Sequence, residues 1–199
     1  GRSYLGSVQW LSAPLRSRFL TCLAPQSTNT NQLTDLVRPG GAFQLNVLMT
    51  WGMRTNGRTG QSIEHHNWTE AFRALPLNKM DELAGRRLQF WKDWVEHSTY
   101  DDYWKAINAE ERWGEIAAPA FNMGGWYDLY AQHTFINFNG LRQHGGTPEA
   151  RQSKIIVGPW PHSLSASTRT GDIDFDGASE IVVVEHAANA LNFGVWVRA

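Results

Sequence analysis

The sequence predicts an α/β protein: part of a parallel sheet, crossed by helices and interrupted by a helical insertion. Three observations carry that expectation. The short apolar segments Arg18 to Ala24, Ala118 to Met123 and Lys154 to Val157 each run into turn residues, as buried parallel strands do. A glycine-framed serine, Ser3, is followed by a helix-like run from Tyr4 to Leu15. Between positions 26 and 117 the pattern changes to apolar residues at helical spacing.

Taken in order, the first element is Gly1-Arg2-Ser3-Tyr4-Leu5-Gly6. A serine between glycines at a strand-to-helix turn has the pattern of a nucleophile elbow, which pushes the hydroxyl into the open. The turn is strained and backbone passes close by, so glycine is needed where a Cβ would clash. Leu5 stands where the commoner G-x-S-x-G string has its second glycine. No strand leads into the elbow and no methionine precedes it. The chain therefore reads as a piece of a larger enzyme beginning at its catalytic serine, expected to be inactive in isolation.

The later elements follow the same punctuation. Pro39-Gly40-Gly41 opens an apolar stretch, Ala42 to Met53, and helical spacing returns over Thr69 to Ala74 and Met80 to Glu96. A lid over an active site would look like this, and so would an ordinary helical subdomain. Leu129 to Gln143 reads as helix, Ser163 to Ser179 as a surface loop, and Glu180 to Arg198 as a strand at Ile181 to Val184 and then helix. The expected division is residues 1–25 and 118–199 as a partial core and 26–117 as a helical cap.

Composition narrows the function. A chain of 199 residues with 42% hydrophobic side chains can bury one sizeable core. A net charge of −1 without blocks of like charge argues against nucleic acid or an anionic membrane as partner. No apolar run reaches the roughly 18 to 20 residues of a membrane span, so a soluble, cytoplasmic rather than secreted protein is expected. The single cysteine, Cys22, excludes an internal disulfide framework and a cysteine-rich zinc site; its neighbours mark it as a buried small hydrophobe. Ten tryptophans are the unusual feature. Trp51, Trp68, Trp91, Trp94, Trp104 and Trp113 fall in the insertion, most suited to a core and a few to the wall of an apolar pocket.

A serine hydroxyl needs a base within hydrogen-bond reach, and that base needs a carboxylate to fix its tautomer. In the α/β-hydrolase order the serine comes first, then Asp or Glu, then His, each on a loop after a strand. Ser3, Asp128 in Gly124-Gly125-Trp126-Tyr127-Asp128, and His162 in Gly158-Pro159-Trp160-Pro161-His162 meet that order. Each has a blander reading: Asp128 as the cap of the helix behind it, His162 as a turn residue. Jointly they point to an α/β-hydrolase core, partial because only the later parallel strands are present. Glu64-His65-His66 resembles a metal pair only superficially, because adjacent helical residues do not converge and no third ligand follows. No metal and no cofactor are expected. His97, His133, His144, His186, Arg2, Asp101 and Asp102 read as structural, and Asn67-Trp68-Thr69 carries no weight as a glycosylation acceptor.

At these residues the chain resembles the cocaine esterase and X-Pro dipeptidyl-peptidase group of α/β-hydrolases, the CocE/NonD type. The resemblance rests on Gly1-Arg2-Ser3-Tyr4-Leu5-Gly6 with Gln9-Trp10, on Gly125-Trp126-Tyr127-Asp128, and on Gly158-Pro159-Trp160 with His162. Pro39-Gly40-Gly41-Ala42 with Trp51, and Asp102-Tyr103-Trp104, are similar to family cap segments. The family pattern has its glycine at the third position beyond the serine, which accounts for Leu5. The resemblance implies Ser3 as nucleophile, His162 as base, Asp128 as its orienting acid, and the Tyr4 backbone N–H as one oxyanion donor. It implies a second donor from an upstream tyrosine and a C-terminal jelly-roll domain, neither of them in this sequence. Trp51 and Tyr130 match positions that face the acyl or leaving group, and Trp126 and Tyr127 complete an aromatic substrate-binding set.

The expected function is a serine hydrolase that cleaves a small ester or amide through an acyl-enzyme. The rivals are an X-Pro dipeptidyl-peptidase or an α-amino-acid ester hydrolase, which need carboxylates for a substrate ammonium, and a hydrolase fold kept as a non-catalytic binding module.

Overall fold

The computed structural model describes residues 1–163, 169–175, 181–184 and 194–196. In chain order the helices are α1 (Tyr4–Ser12), α2 (Leu45–Thr55), α3 (Trp68–Ala71), α4 (Met80–Leu83), α5 (Gln89–Glu96), α6 (Asp102–Lys105) and α7 (Ala131–His144). The strands are β1 (Phe121–Tyr127), β2 (Lys154–Pro161), β3 (Arg169–Thr170), β4 (Ile173–Asp174), β5 (Ile181–Val184) and β6 (Gly194–Trp196). Two compact units result, one of residues Gly1–Asn31 with Asn108–Ala199 and one of Gln32–Ile107.

The first unit is built on the sheet β1-β2-β5-β6, in which β1 and β2 are parallel and β5 and β6 antiparallel. Two further segments extend it beyond β1 through isolated parallel bridges: Leu23 with Ala120, Gln26 with Met123, and Arg2 with Gln26. The residues leading to Ser3 thus run parallel to the segment around Gln26, which runs parallel to β1. Trp10, Trp113, Ile116 and Leu141 centre the core on one side, with the Trp10 and Trp113 rings edge-to-face at 5.5 Å. Phe138 of α7 packs with Ile155 and Val157 of β2.

Several expectations change here. Arg18 to Ala24 is not a strand: Leu20 N–H closes a turn on the Ser17 carbonyl, and pairing begins only at Leu23, with Pro25 unable to donate to a ladder. Cys22 is exposed, because the chain at that point has not yet entered the sheet. β1 and β2 do not stop at their glycines but run through them for several residues. The stretch expected as a surface loop holds the ribbon β3–β4. Ile181 to Val184 is a strand as expected, whereas Gly194 to Trp196 is strand rather than helix; residues 185–193 lie outside the described residues.

The second unit is helical and packs around Leu48, Met49, Met53, Met80, Leu88, Trp91 and Trp104. Its buried indoles find acceptors: Trp91 Nε1 donates to the Leu77 carbonyl at 2.7 Å and Trp104 Nε1 to His97 at 2.8 Å. Tryptophan here serves packing first. The expected helix Met80 to Glu96 is two helices, broken at Gly85, whose φ of +93° no helix accommodates. Asp81, wholly buried, bridges the break by accepting the Leu88 N–H at 2.7 Å. Among the described residues no helix is long and apolar enough to cross a membrane.

Candidate active site

Ser3 has φ 56° and ψ −128°, a conformation that an L-residue with a side chain rarely adopts. Surrounding bonds hold it there. Its N–H donates to the Gln26 carbonyl at 2.9 Å, and its own carbonyl accepts from Gly6 N–H at 2.8 Å and Ser7 N–H at 3.0 Å. The close approach falls on Gly6 and not on position 5. A Cβ on Gly6 would lie 2.8 Å from Thr28 Cγ2 and 2.9 Å from the Gly1 carbonyl oxygen, whereas Leu5 is 64% exposed. That is the physical reason leucine is tolerated where the commoner string has glycine.

Asp128 and His162 follow β1 and β2 directly, and the register of those strands sets them level. Gly125 pairs with Gly158, but after a one-residue shift Tyr127 pairs with Pro161. The shift brings the residue after Tyr127 beside the residue after Pro161. Without it Asp128 would face Pro161, since one residue of slip turns every side chain to the other face.

The result is a continuous path. Ser3 Oγ lies 3.1 Å from His162 Nε2, and His162 Nδ1 lies 2.9 Å from Asp128 Oδ2. The second Asp128 oxygen, Oδ1, accepts the Tyr130 N–H at 2.6 Å. One carboxylate therefore meets the imidazole through one oxygen and closes the turn ahead of α7 through the other; it is not the helix cap, a position that Tyr130 holds without a side-chain bond. Burial of Asp128 favours its neutral form, but the His162 hydrogen bond, the Tyr130 N–H, the charge of His162 and the Ser27 hydroxyl outweigh burial and hold the carboxyl below its ordinary 3.8. The Tyr130 ring is 5% exposed and lies edge-on to His162, with centroids 5.6 Å apart.

The other expected site residues are placed as follows. Tyr4 opens α1, where helix geometry directs N–H groups back toward the Ser3 end. Trp126 and Tyr127 are about half exposed, Trp126 against Phe135 and Tyr127 against Phe175. Trp51 belongs to α2 of the second unit, half-buried, with its ring 6.5 Å from that of Phe90. His65 and His66 lie in a turn rather than a helix, their rings 4.1 Å apart. Among the described residues no group of three His, Cys, Asp or Glu side chains could hold a metal ion. Asn67 caps α3 by accepting the Glu70 N–H, and Asp101 caps α6 by accepting the Tyr103 N–H.

Sequence reasoning missed three supports. Arg2 donates through Nη1 to the carbonyl of Ser163, the residue after His162. Thr28 Oγ1 donates to the Ser3 carbonyl at 2.8 Å, and the Ser27 N–H donates to the Met123 carbonyl of β1 at 2.8 Å. No local signal marks them, because their partners are far away in sequence.

Parallel pairing of β1 with β2 and with the bridged segments before it, with Ser3, Asp128 and His162 gathered past their carboxyl ends, defines an α/β-hydrolase core. The family description "X-Pro dipeptidyl-peptidase (S15 family)" matches residues 1–164, and the chain belongs to that family. It is 27% identical to a cocaine esterase from Rhodococcus sp. (strain MB1 Bresler), over 93% of this chain and 34% of that protein. In structure it is similar to an aminopeptidase from a marine sediment archaeon, Thaumarchaeota archaeon, with a TM-score of 0.69 and 19% identity over 87% of this chain and 30% of the other. An α-amino-acid ester hydrolase matches with a TM-score of 0.61 and 20% identity, over 82% of this chain and 28% of its own. The chain thus spans about a third of the length of the relatives it matches.

Proposed function

We propose that this chain carries the reacting groups of a serine hydrolase acting on an acyl ester or amide. Ser3 Oγ attacks the acyl carbon as His162 Nε2 takes its proton. Asp128 keeps Nδ1 protonated and stabilises the imidazolium that forms. The Tyr4 N–H supports the oxyanion, the imidazolium returns the proton to the leaving group, and a water activated by the same imidazole releases the acyl group. What carries this reading is the unbroken path from Ser3 Oγ through His162 to Asp128 Oδ2, built on a serine held at positive φ.

An acyl group with aromatic or apolar character is favoured by the half-exposed Trp126 and Tyr127 beside Asp128. The experiment is labelling of the full-length protein with a fluorophosphonate probe and with the Ser3→Ala variant as control. Rapid labelling that Ser3→Ala abolishes is expected; labelling that survives the substitution refutes Ser3 as nucleophile. The family description and the aminopeptidase neighbour supply the second reading, a dipeptidyl-peptidase. Both Asp128 oxygens already accept protein donors, so a substrate ammonium would need another carboxylate. Comparing an aryl ester with an Ala-Pro anilide separates the two.

A further inference from the structure

The least expected part of the site is the dipeptide Ser27-Thr28. Both residues are almost wholly buried, at 1% and 2% exposure, in the polar run that follows Gln26. Ser27 has φ 44°, a left-handed conformation that costs a non-glycine residue energy and persists only where surroundings impose it. Its N–H is fixed on the Met123 carbonyl at 2.8 Å. Its hydroxyl oxygen is buried and makes no hydrogen bond among the described residues, so the dipeptide's side-chain tie to the site runs through Thr28.

Thr28 faces the Ser3 end of the path. Its Oγ1 lies 2.8 Å from the Ser3 carbonyl oxygen, and since a carbonyl can only accept, the threonine is the donor. The same hydroxyl meets Ser7 Oγ at 2.8 Å, and Ser7 Oγ reaches Asn29 Oδ1 at 2.8 Å. The Thr28 carbonyl accepts from Asn137 Nδ2 of α7 at 3.2 Å, and Asn137 Oδ1 accepts from Thr30 at 2.6 Å. The dipeptide is thus anchored on β1, on α1 and on α7, and through Thr28 it holds the Ser3 end of the path.

Resting on the serine-hydrolase reading above, we propose that Thr28 is a positioning residue for that reaction: from a segment fixed on β1 by the Ser27 N–H, its hydroxyl holds the strained Ser3 peptide in its reactive conformation. Buried polar groups of this kind matter most when all of them are satisfied. Removing the Thr28 hydroxyl leaves the Ser3 carbonyl held only by the Gly6 and Ser7 N–H groups of its own helix, with no tie from that carbonyl to the Gln26 segment, and frees Ser3 to relax away from His162.

The test uses the full-length protein and two readouts, fluorophosphonate labelling rate and p-nitrophenyl acetate hydrolysis. Thr28→Val should slow labelling and lower kcat by about 10- to 100-fold, the range for small misplacements of a reacting group, with KM little changed. Thr28→Ser, which keeps the hydroxyl, should restore most of the rate. Labelling of Thr28→Val at the wild-type rate, or an equal loss in Thr28→Ser, overturns the role of Thr28. If Thr28→Val does not fold, Thr28→Cys, a small side chain with only a weak donor, decides the proposal: labelling at the wild-type rate overturns it. A wild-type protein that is neither labelled nor active defeats the parent reading; a labelled wild type with indifferent variants defeats the clamp alone.

Discussion

Arg2 and Ser163 are joined by a hydrogen bond from a guanidinium to a backbone carbonyl, so the residue before Ser3 is tied to the residue after His162. The bond spans the two loops whose spacing sets the distance from Ser3 Oγ to His162 Nε2. Both partners are exposed, so its net contribution to stability is small, on the order of 1 kcal/mol or less. Its effect on placement is separable from that. Arg2→Met keeps the aliphatic stem and removes the donor. Thermal unfolding should stay within a degree or two of wild type, while kcat on an aryl ester falls about tenfold through loosened orientation. A kcat unchanged from wild type would show that the tether is incidental.

Asp128 supplies a pH-dependent term. Its carboxyl lies below 3.8 in the folded protein, with burial opposing and the His162 and Tyr130 bonds prevailing. A depressed folded value means the unfolded state binds the proton more readily. The stabilisation is therefore fully present above the unfolded carboxylate range and is lost as pH falls through the folded value. Unfolding of wild type and Asp128→Asn should differ at neutral pH, and the difference should shrink below about pH 4, where unfolded aspartate takes up its proton. A difference that is constant down to pH 3 would mean the carboxylate charge adds nothing to the fold.

How much of this was legible in the sequence depends on how local the cause is. Ser3, Asp128 and His162 were legible because glycines and prolines mark the strand ends beside them. The same residues misled about strand length: Gly124, Gly125 and Gly158 look like turns but lie inside β1 and β2. The one-residue shift between Gly125 and Tyr127, which sets Asp128 beside His162, is a property of a pair of strands and leaves no trace in either alone. Positive φ at Ser27 is invisible for the same reason, since serine has no preference for it and only its buried neighbours impose it. The expected strand Arg18 to Ala24 overlaps the pairing segment only at its end, because pairing begins at Leu23 and passes Pro25 to Gln26 through single bridges.

Gly6 and Leu5 make opposite predictions although they are neighbours. Alanine at Gly6 should gain up to about 1 kcal/mol of helix propensity. Against that, its Cβ would sit 2.8 Å from Thr28 Cγ2 and 2.9 Å from the Gly1 oxygen, one of them backbone, so the turn must open. Overpacking of this kind costs about 1 to 3 kcal/mol and should win. Gly6→Ala is expected to lower Tm and slow labelling of Ser3 together, because Thr28 is what it displaces. Leu5→Ala should stay within about 0.5 kcal/mol of wild type. A Gly6→Ala protein as stable and as reactive as Leu5→Ala would mean the close approach is not real.

Ser3 and His162 should behave as one device. A serine hydroxyl without its base is a weak nucleophile, and an imidazole without the serine has no proton to take. Each alanine substitution alone should therefore remove nearly all that the pair contributes, several orders of magnitude in kcat. The double variant should fall little further, to whatever the oxyanion donors and binding still supply. The 3.1 Å separation of Ser3 Oγ and His162 Nε2 is what makes the two losses overlap. Independent groups acting on separate steps would instead multiply their losses. Turnover of an aryl ester by Ser3→Ala, His162→Ala and the double variant of the full-length protein decides it: losses that multiply would place His162 outside the proton transfer from Ser3 and leave its bond to Asp128 a purely structural one.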